Sequence, residues 1–366
     1  FYSLLCFMRF NIKISNLKKL YNFFWFLALL NIFFFICNAK ANTFTINDIE
    51  ISTPFEINFS KNKIIDEGFM QAFNELILSI AKTKDQKKLK QTSLAKIKSM
   101  IETFSINEEK FIDEIYYLNL NVSFSKKKVF DLLESKNIFP SLPTKKNIFF
   151  IPIIFDQNKN EILMFSENHL FGNWNLNNKK YHLLNYILPT EDLDDFNLIK
   201  SKSNNLENYD FQEIIKKYNL KDYIIVIIFK KNKEIKILNK INLSEKMDIK
   251  NLKFDNLNLD KNDELEKLIN KLKMIYENYW KSKNEINTSV KLSLTVSIDN
   301  SDNLKISKFE KTLNNLDFIY NFYIYKINNK KNIYKIIFNG SPDNFLELMK
   351  KNNYDFITQN KVWHIK

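Results

Sequence analysis

The three histidines, His169, His182 and His364, are the residues whose type best suits metal binding or proton transfer. A structural zinc site needs four ligands, and a catalytic one usually has three plus a water. No two histidines stand at the spacing of a helical HExxH zinc motif. We therefore expect no metal and no cofactor, and interpret each histidine as a surface or partly buried residue. A Ser-His-Asp arrangement stays open, because it is defined in space rather than along the chain.

The densest group of carboxylates is Glu191, Asp192, Asp194 and Asp195. These oxygens could bind a cation, but the segment lacks the alternating ligands and the central glycine of an EF-hand loop. Thr190 precedes them, and threonine is a common helix N-cap residue. Acidic side chains in a first helical turn are stabilised by the helix dipole. The pattern therefore favours a helix start capped by Thr190 over a cation site.

Glycine is too sparse for phosphate chemistry, since Gly68, Gly172 and Gly340 are the only three and each stands alone. Nucleotide-binding loops need several glycines within a few residues, so that the backbone can approach the phosphates. The serine elbow of the esterases is missing from the sequence as well. We find no catalytic motif and predict that the protein is not an enzyme.

Lysine carries almost all of the basic charge, because Arg9 is the only arginine. After residue 41 the chain has 50 lysines and 42 acidic residues, a net charge of +8. A segment without arginine lacks the usual reader of guanine and the planar clamp for phosphate. We expect no nucleic-acid partner. The lysine clusters suit a solvated surface, and contact with anionic lipid or the cell wall is the alternative.

Residues 1–41 have the pattern of a secretory signal peptide. Basic residues precede an apolar stretch over 23–36, and Ala39 and Ala41 are the small residues that a signal peptidase reads. We predict cleavage before Asn42 and export to the periplasm. An uncleaved inner-membrane anchor is the alternative, although the apolar run is shorter than the ~20 residues that span a bilayer. Both cysteines precede Asn42, so we expect no disulfide beyond it.

Three successive α/β units must position these groups, and the sequence suggests the boundaries 42–145, 146–288 and 289–366. In the first unit, apolar residues three and four apart predict a helix over 65–80, and strict alternation predicts a strand over 115–124. The other elements predicted there are a strand region over 43–59, a helix over 89–104 and a helix over 126–135.

The second unit is centred on two near-continuous apolar runs, 147–155 and 223–229, which are typical of strands covered on both faces. Apolar residues that hold helical spacing throughout 263–281 give the strongest helix prediction of the chain. The other elements predicted there are a hairpin strand over 234–243, a helix over 211–218 and a polar loop over 244–261.

The third unit follows the β-α-β-β-α-β order of a ferredoxin-like sandwich. Ser341 is predicted to cap its second helix, with Pro342 at the first helical position. Its strands are predicted over 292–298, 318–327, 333–338 and 354–365, and its first helix over 306–316. The fold class is therefore predicted as α+β, built from three small units in succession.

Four large aromatic residues are candidates for partner binding: Trp174, Tyr276, Tyr279 and Trp280. The last three end the long amphipathic helix, so we expect at least one of them to be exposed. Packing in the core is the alternative for all four, since tryptophan and tyrosine bury large apolar areas.

Several short segments resemble one family of secreted proteins. Residues 149–152 end an apolar strand in proline, 168–174 keep a first Asn and a last Trp, and 188–194 join a proline to acidic residues. Together with Trp363, this layout resembles the bacterial proteins grouped as domain of unknown function 2066. The second and third residues of 168–174, His and Leu, replace the Pro and Trp that are usual in that family. The resemblance implies an envelope location and no established activity.

Export, modular sheets and the lack of a catalytic motif point to a non-catalytic envelope adaptor that binds another protein. A periplasmic protein that binds or hydrolyses cell-wall glycan or lipid is the alternative, suggested by the many aromatic and carboxylate side chains. A module held on the membrane surface by lysines and an uncleaved N-terminal segment is a third hypothesis.

Overall fold

A computed structural model describes residues 44–366, except residues 58, 177, 245 and 317. The predicted signal segment with its cleavage residues, Ala39, Ala41 and Asn42, lies outside the described residues. Residues Thr43–Lys366 group into a single compact unit, and its mixture of helices and three sheets confirms the α+β class. Each sheet is built from one of the three predicted segments, while their separation into domains stays a prediction. No helix among the described residues is long and apolar enough to cross a membrane.

The first sheet consists of three antiparallel strands with helices on one face. Its strands are β1 (Thr45–Pro54), β2 (Ile101–Ile112) and β3 (Ile115–Phe124), in the order β1-β3-β2. Its helices are α1 (Lys61–Ile80), α2 (Thr83–Lys90), α3 (Leu94–Met100) and α4 (Lys126–Ser135). Alternate residues of β3, such as Leu118 and Leu120, are buried against the apolar stripe of α1, as the spacing in both elements predicted.

The helix predicted over 89–104 is wrong, because the chain bends after α2 and becomes a strand at Ile101. The Ser93 side chain accepts a hydrogen bond from the backbone N–H of Lys96 and so starts a separate helix, α3. From Ile101 onward the backbone pairs with β3, beginning opposite Phe124. Pairing with a distant strand overrides the helical spacing of the buried residues in this segment.

The second sheet contains six strands with helices on both faces. Its strands are β4 (Lys146–Asp156), β5 (Glu161–Leu163), β6 (Leu184–Ile187), β7 (Tyr223–Lys231), β8 (Glu234–Leu243) and β9 (Lys246–Asp255). Its helices are α5 (His169–Asn173), α6 (Leu193–Ser201), α7 (Gln212–Lys216) and α8 (Asn262–Lys283), with 3₁₀ turns at Phe165–Glu167 and Ser203–Asn205. β4 pairs in parallel with β6 and β7, and β7-β8-β9 continue antiparallel. Because α8 covers one face and α6 and α7 the other, β4 is apolar over 148–155 and β7 over 223–229.

The polar loop predicted over 244–261 is wrong, since β9 runs along β8 through this segment. Leu252 and Phe254 lie partly buried against the core beneath α8, while charged residues occupy much of the rest of the strand. An edge strand with one exposed face tolerates such a polar composition, because its stability comes from backbone pairing and a few buried side chains.

The third sheet has five strands and two helices on one face. Its strands are β10 (Leu292–Asp299), β11 (Ile319–Ile327), β12 (Lys331–Phe338), β13 (Phe356–Ile357) and β14 (Trp363–Ile365), in the order β11-β12-β10-β14-β13. Its helices are α9 (Asn303–Asn315) and α10 (Pro342–Lys351). Ser341 caps α10 by accepting a hydrogen bond from the N–H of Asn344, and Pro342 is the first helical residue, as predicted.

The single last strand predicted over 354–365 is wrong, and so is the last step of the ferredoxin-like order. In that order the final strand would lie beside β10 and run antiparallel to it. Instead β13 lies at the edge of the sheet, and the chain reverses so that β14 pairs in parallel with β10. The reversal brings the Trp363 ring against Phe345 and Phe356, with centroids 6.1 and 6.3 Å away. Packing of this large ring against the core is the physical gain of the reversal.

Gly68 marks the closest approach of α1 to the first sheet. A Cβ atom added there would lie 2.3 Å from Leu120 Cδ1 and 3.0 Å from Ile51 Cδ1. We expect Gly68→Ala to lower the free energy of unfolding by about 1–3 kcal/mol, because extra volume in a packed core displaces its neighbours. Urea denaturation measures this change. Gly172→Ala is the control, since no atom beyond its chain neighbours and its own helix backbone lies within 4 Å of the added Cβ. Equal losses in both variants would contradict the packing argument.

Candidate functional site

The four aromatic candidates lie in the core rather than on the surface. Trp174 and Tyr276 are fully buried, and Tyr279 and Trp280 are at most 9% exposed. The Trp174 ring stacks on Phe150, with centroids 3.9 Å apart. The expectation that the end of the long helix exposes one of its aromatic residues is wrong, because this face of α8 packs on the second sheet. None of the four presents a ring to a partner at the surface.

The three histidines lie on different parts of the fold. His169 belongs to α5, His182 precedes β6 and His364 belongs to β14. Burial, and then the charges of Lys273 and other lysines, lowers the pKa of His182 to about 4, so that its ring is neutral at pH 7. His364 Nδ1 contacts the Ser297 hydroxyl across the β10–β14 pair. In the described part of the chain, no three His, Cys, Asp or Glu side chains come together to hold a metal ion.

The predicted acidic group does start a helix, α6, but its N-cap is Asp192 rather than Thr190. Asp192 accepts hydrogen bonds from the backbone N–H groups of Asp194 at 2.8 Å and Asp195 at 3.2 Å. The Lys217 ammonium lies 2.6 Å from a carboxylate oxygen of Asp195 and 3.1 Å from one of Asp192. The hydrogen bond from Lys217 lowers the pKa of Asp192. Lys217 thus pairs with two of the four carboxylates of this acidic group.

Three charged side chains lie inside the buried face of α8: Lys273, Glu277 and Lys281. One carboxylate oxygen of Glu277 accepts hydrogen bonds from the backbone N–H groups of Leu183 and Leu184, both at 2.9 Å. The other oxygen has no hydrogen-bond partner among the residues that the structure describes. Burial raises the pKa of Glu277. The sequence marks this group by three charged residues, spaced four apart, within an apolar helical stripe. The pattern of aromatic residues alone does not reveal it.

Lys281 connects α8 to the end of α1. Its buried ammonium donates hydrogen bonds to the carbonyl oxygens of Leu78 and Ala81. A helix leaves its last carbonyl groups unpaired and carries partial negative charge there, so a cation at this point stabilises α1. Burial lowers the pKa of Lys281 to about 8, and the Glu277 carboxylate opposes this change. We interpret the group as a structural joint rather than as a reactive site.

One strand edge of the third sheet is open and apolar. Within the described residues, β11 pairs with β12 alone. Its second half exposes Tyr323, Ile324, Tyr325 and Ile327, and the last two are 65% and 66% exposed. Lys326 is the only charged residue of this strand. A long edge with aromatic and β-branched side chains and little charge is a template for pairing with another strand.

The first half of β11 is held against α4. The Tyr320 hydroxyl donates a hydrogen bond to Asp131 at 2.6 Å, and the ammonium groups of Lys127 and Lys291 lie 5.7 and 4.3 Å from the centre of the Tyr320 ring. The first half of β11 is therefore held in place by α4 and Lys291. The second half of the strand extends beyond these contacts.

The two faces of the open half differ in chemistry. The register places Tyr323 opposite Lys335 on the outer face, and Ile324 opposite the buried Tyr334 on the face that the helices cover. A bulge between Ile324 and Lys326 leaves Tyr325 as the extra residue, and the Lys335 ammonium lies 5.7 Å from the centre of its ring. The edge thus presents tyrosines on its outer face and isoleucine on its inner face.

The other long edges carry more charge than β11. β2 has four charged residues among its twelve, although it also exposes Phe104, Ile106, Phe111 and Ile112. Half of the residues of β9 are charged. The Lys180 ammonium donates a hydrogen bond to the Asp48 carbonyl of β1. Charged side chains along an edge oppose pairing with another chain. β11 is therefore the edge best suited to binding.

The outer face of the first sheet forms a second candidate site. It is an open depression of about 560 Å³, whose lining includes Glu50, Glu108, Lys110, Tyr117 and Asn119. Glu108 and Lys110 form an ion pair. The volume suits a small polar ligand. A polar outer face is also what a half-exposed antiparallel sheet requires for solvation alone.

No family model matches the chain, and no curated protein matches it. The resemblance to domain of unknown function 2066 therefore stays a prediction that depends on the short motifs. Residues 149–152 lie in the buried strand β4, and Trp174 stacks in the core. Packing is a sufficient reason for these residue types, whatever the family.

The buried Lys281 should make stability depend on pH in the alkaline range. Its pKa in the folded chain is about 8, below the ordinary value of 10.5, so between these values the unfolded chain binds a proton that the folded chain does not. The contribution of Lys281 to stability therefore rises with pH through this window, whereas below about pH 8 the cost of burying its ammonium is present in full. Relative to Lys281→Met, the wild-type free energy of unfolding should rise by up to about 3 kcal/mol between pH 8 and 10.5.

Denaturation of both proteins at several pH values measures this difference. Lys267→Met is the control, because Lys267 is exposed on the same helix, and its difference from wild type should stay nearly constant. A difference between wild type and Lys281→Met that does not change with pH would contradict the burial of a charged ammonium.

Proposed function

We propose that the protein is a non-catalytic binding module of the bacterial envelope that takes up an extended segment of a partner protein along β11. The observation that carries this proposal is the open half of that strand, where four of five consecutive residues are exposed apolar or aromatic side chains. Contiguous apolar groups on a protein surface mark interaction sites.

Strand addition would satisfy two needs of this edge at once. The outward N–H and C=O groups of β11 would gain hydrogen-bond partners, and the exposed side chains would be covered on both faces. Tyr323 and Tyr325 offer large apolar rings that lose little conformational entropy on binding. Ile324 borders the apolar core of the third sheet, so an incoming side chain there would extend that core.

The envelope location belongs to the same proposal. It rests on the predicted signal peptide, with Ala39 and Ala41 before the cleavage point. The adaptor role rests on the lack of a catalytic motif in the sequence together with a folded body that offers an apolar, weakly charged edge at β11. An adaptor requires only a folded body and a surface that binds its partner.

A photo-crosslinking amino acid in place of Tyr325 tests the proposal in cells. We expect one dominant crosslinked product, whose partner residues lie in a segment that also binds the purified chain as a synthetic peptide. The same group in place of Leu304 is the matched control, because Leu304 is exposed on α9, and it should give no such product. Ile324→Asn removes an apolar contact from the edge without adding charge and should abolish the product. A product that persists unchanged in that variant would show that β11 is not the binding edge.

A second candidate function is the binding of cell-wall glycan on the outer face of the first sheet. The depression there favours it, because it brings Glu50 and Glu108 together with Tyr117. Carboxylates can accept hydrogen bonds from sugar hydroxyls, and a tyrosine ring offers an apolar face for stacking.

Sedimentation of the chain with purified peptidoglycan tests this second function. Tyr117→Ala should reduce the bound fraction several-fold, because it removes the stacking surface. Glu102→Gln is the control, since Glu102 is exposed on the same sheet but does not line the depression. Equal binding by the wild type and Tyr117→Ala would rule out this site.

A further inference from the structure

The open half of β11 is surrounded by lysines. Lys326 lies in the strand, Lys330 and Lys331 follow it at the turn into β12, and Lys335 stands beside Tyr325. Asp299 on β10 lies opposite Lys331. Among the side chains that the structure describes, those of Lys326, Lys330 and Lys335 form no ion pair. The binding edge thus has an uncompensated positive charge.

We propose that the segment bound along β11 is acidic, with carboxylate side chains alternating with apolar ones. This inference rests on the proposed function, because it names the chemistry of the segment that the edge binds. Successive side chains of a strand point to opposite faces. Apolar side chains would lie on the face of Ile324, and carboxylates on the outer face, where Lys326 and Lys335 lie. Complementary charge of this kind raises the association rate and selects against other partners.

The same lysines argue against a second copy of the chain on this edge. Antiparallel pairing of two β11 strands would bring the lysines of both copies close together. Like charges opposite one another destabilise strand pairing, and like-charge contacts across an interface reduce affinity. A basic partner segment would meet the same repulsion, and an uncharged one would leave the lysines without counter-charges.

Two synthetic peptides test the inference on the purified full chain. Each has nine residues, the length of β11. In one peptide tyrosine and valine alternate with glutamate, and in the other the same residues alternate with lysine. We expect the glutamate peptide to bind roughly tenfold more tightly at about 0.01 M salt, and less so at about 0.15 M, because salt screens exposed charges. Fluorescence anisotropy of labelled peptides measures both affinities.

Charge reversal on the protein is the second part of the experiment. Lys326→Glu combined with Lys330→Glu should shift the preference toward the lysine peptide, and the corresponding glutamine variant should show little preference. Lys308→Glu combined with Lys311→Glu is the matched control, because both lysines are exposed on α9 rather than at the edge. This control should keep the preference of the wild type.

The outcomes separate the charge inference from the proposed function. If both peptides bind equally and Ile324→Asn abolishes this binding, the inference that the segment is acidic is wrong, while β11 remains the binding edge. If neither peptide binds a chain whose circular dichroism spectrum is intact, both the acidic segment and the proposed binding function are wrong. A dimer of the chain alone that dissociates in Ile324→Asn, measured by sedimentation, would make a second copy the occupant and overturn the inference.

Discussion

The hydrogen bonds from Lys281 to the end of α1 are the interaction on which the arrangement of the first two sheets depends. The ammonium is buried, so it must keep its carbonyl partners, because a buried charge without them is costly. Neighbouring contacts reinforce the same junction: the Thr83 N–H donates to Asn278 on α8 at 2.9 Å, and the Ile286 N–H donates to the Pro140 carbonyl at 2.7 Å. Together they hold α1 and α8, and with them the sheets that these helices cover.

The third sheet is attached to the first through a different set of contacts, and these determine which part of β11 is open. The Lys126 ammonium donates to the Leu316 carbonyl at 2.9 Å, and Lys291 pairs with Glu134 at 2.7 Å. These contacts surround Tyr320 and fix the start of β11. The strand then continues past α4, so the same anchoring that secures the sheet leaves its apolar end at the surface.

Charge has two separate roles in this protein. Within the fold, charged side chains pair with particular backbone or carboxylate groups: Glu277 accepts from two N–H groups, and the partly exposed Lys217 bridges Asp192 and Asp195. Outside it, Lys326, Lys330 and Lys335 lie next to the apolar edge of β11 and form no ion pair among the side chains that the structure describes. The second arrangement presents charge at the surface beside exposed apolar side chains, which is why we propose the edge rather than the buried cluster as the binding site.

The sequence by itself determined the elements whose signals are local. The stripe of α1, the alternation in β3 and the cap at Ser341 were predicted correctly, because each depends on residues a few positions apart. Tertiary structure alone decided β2, β9 and the reversal before Trp363, since strand pairing joins segments that are distant in the chain. It also decided the candidate site. Lys281 meets its partners some 200 residues away, and whether β11 is open depends on which strands lie beside it, a property that no local pattern records.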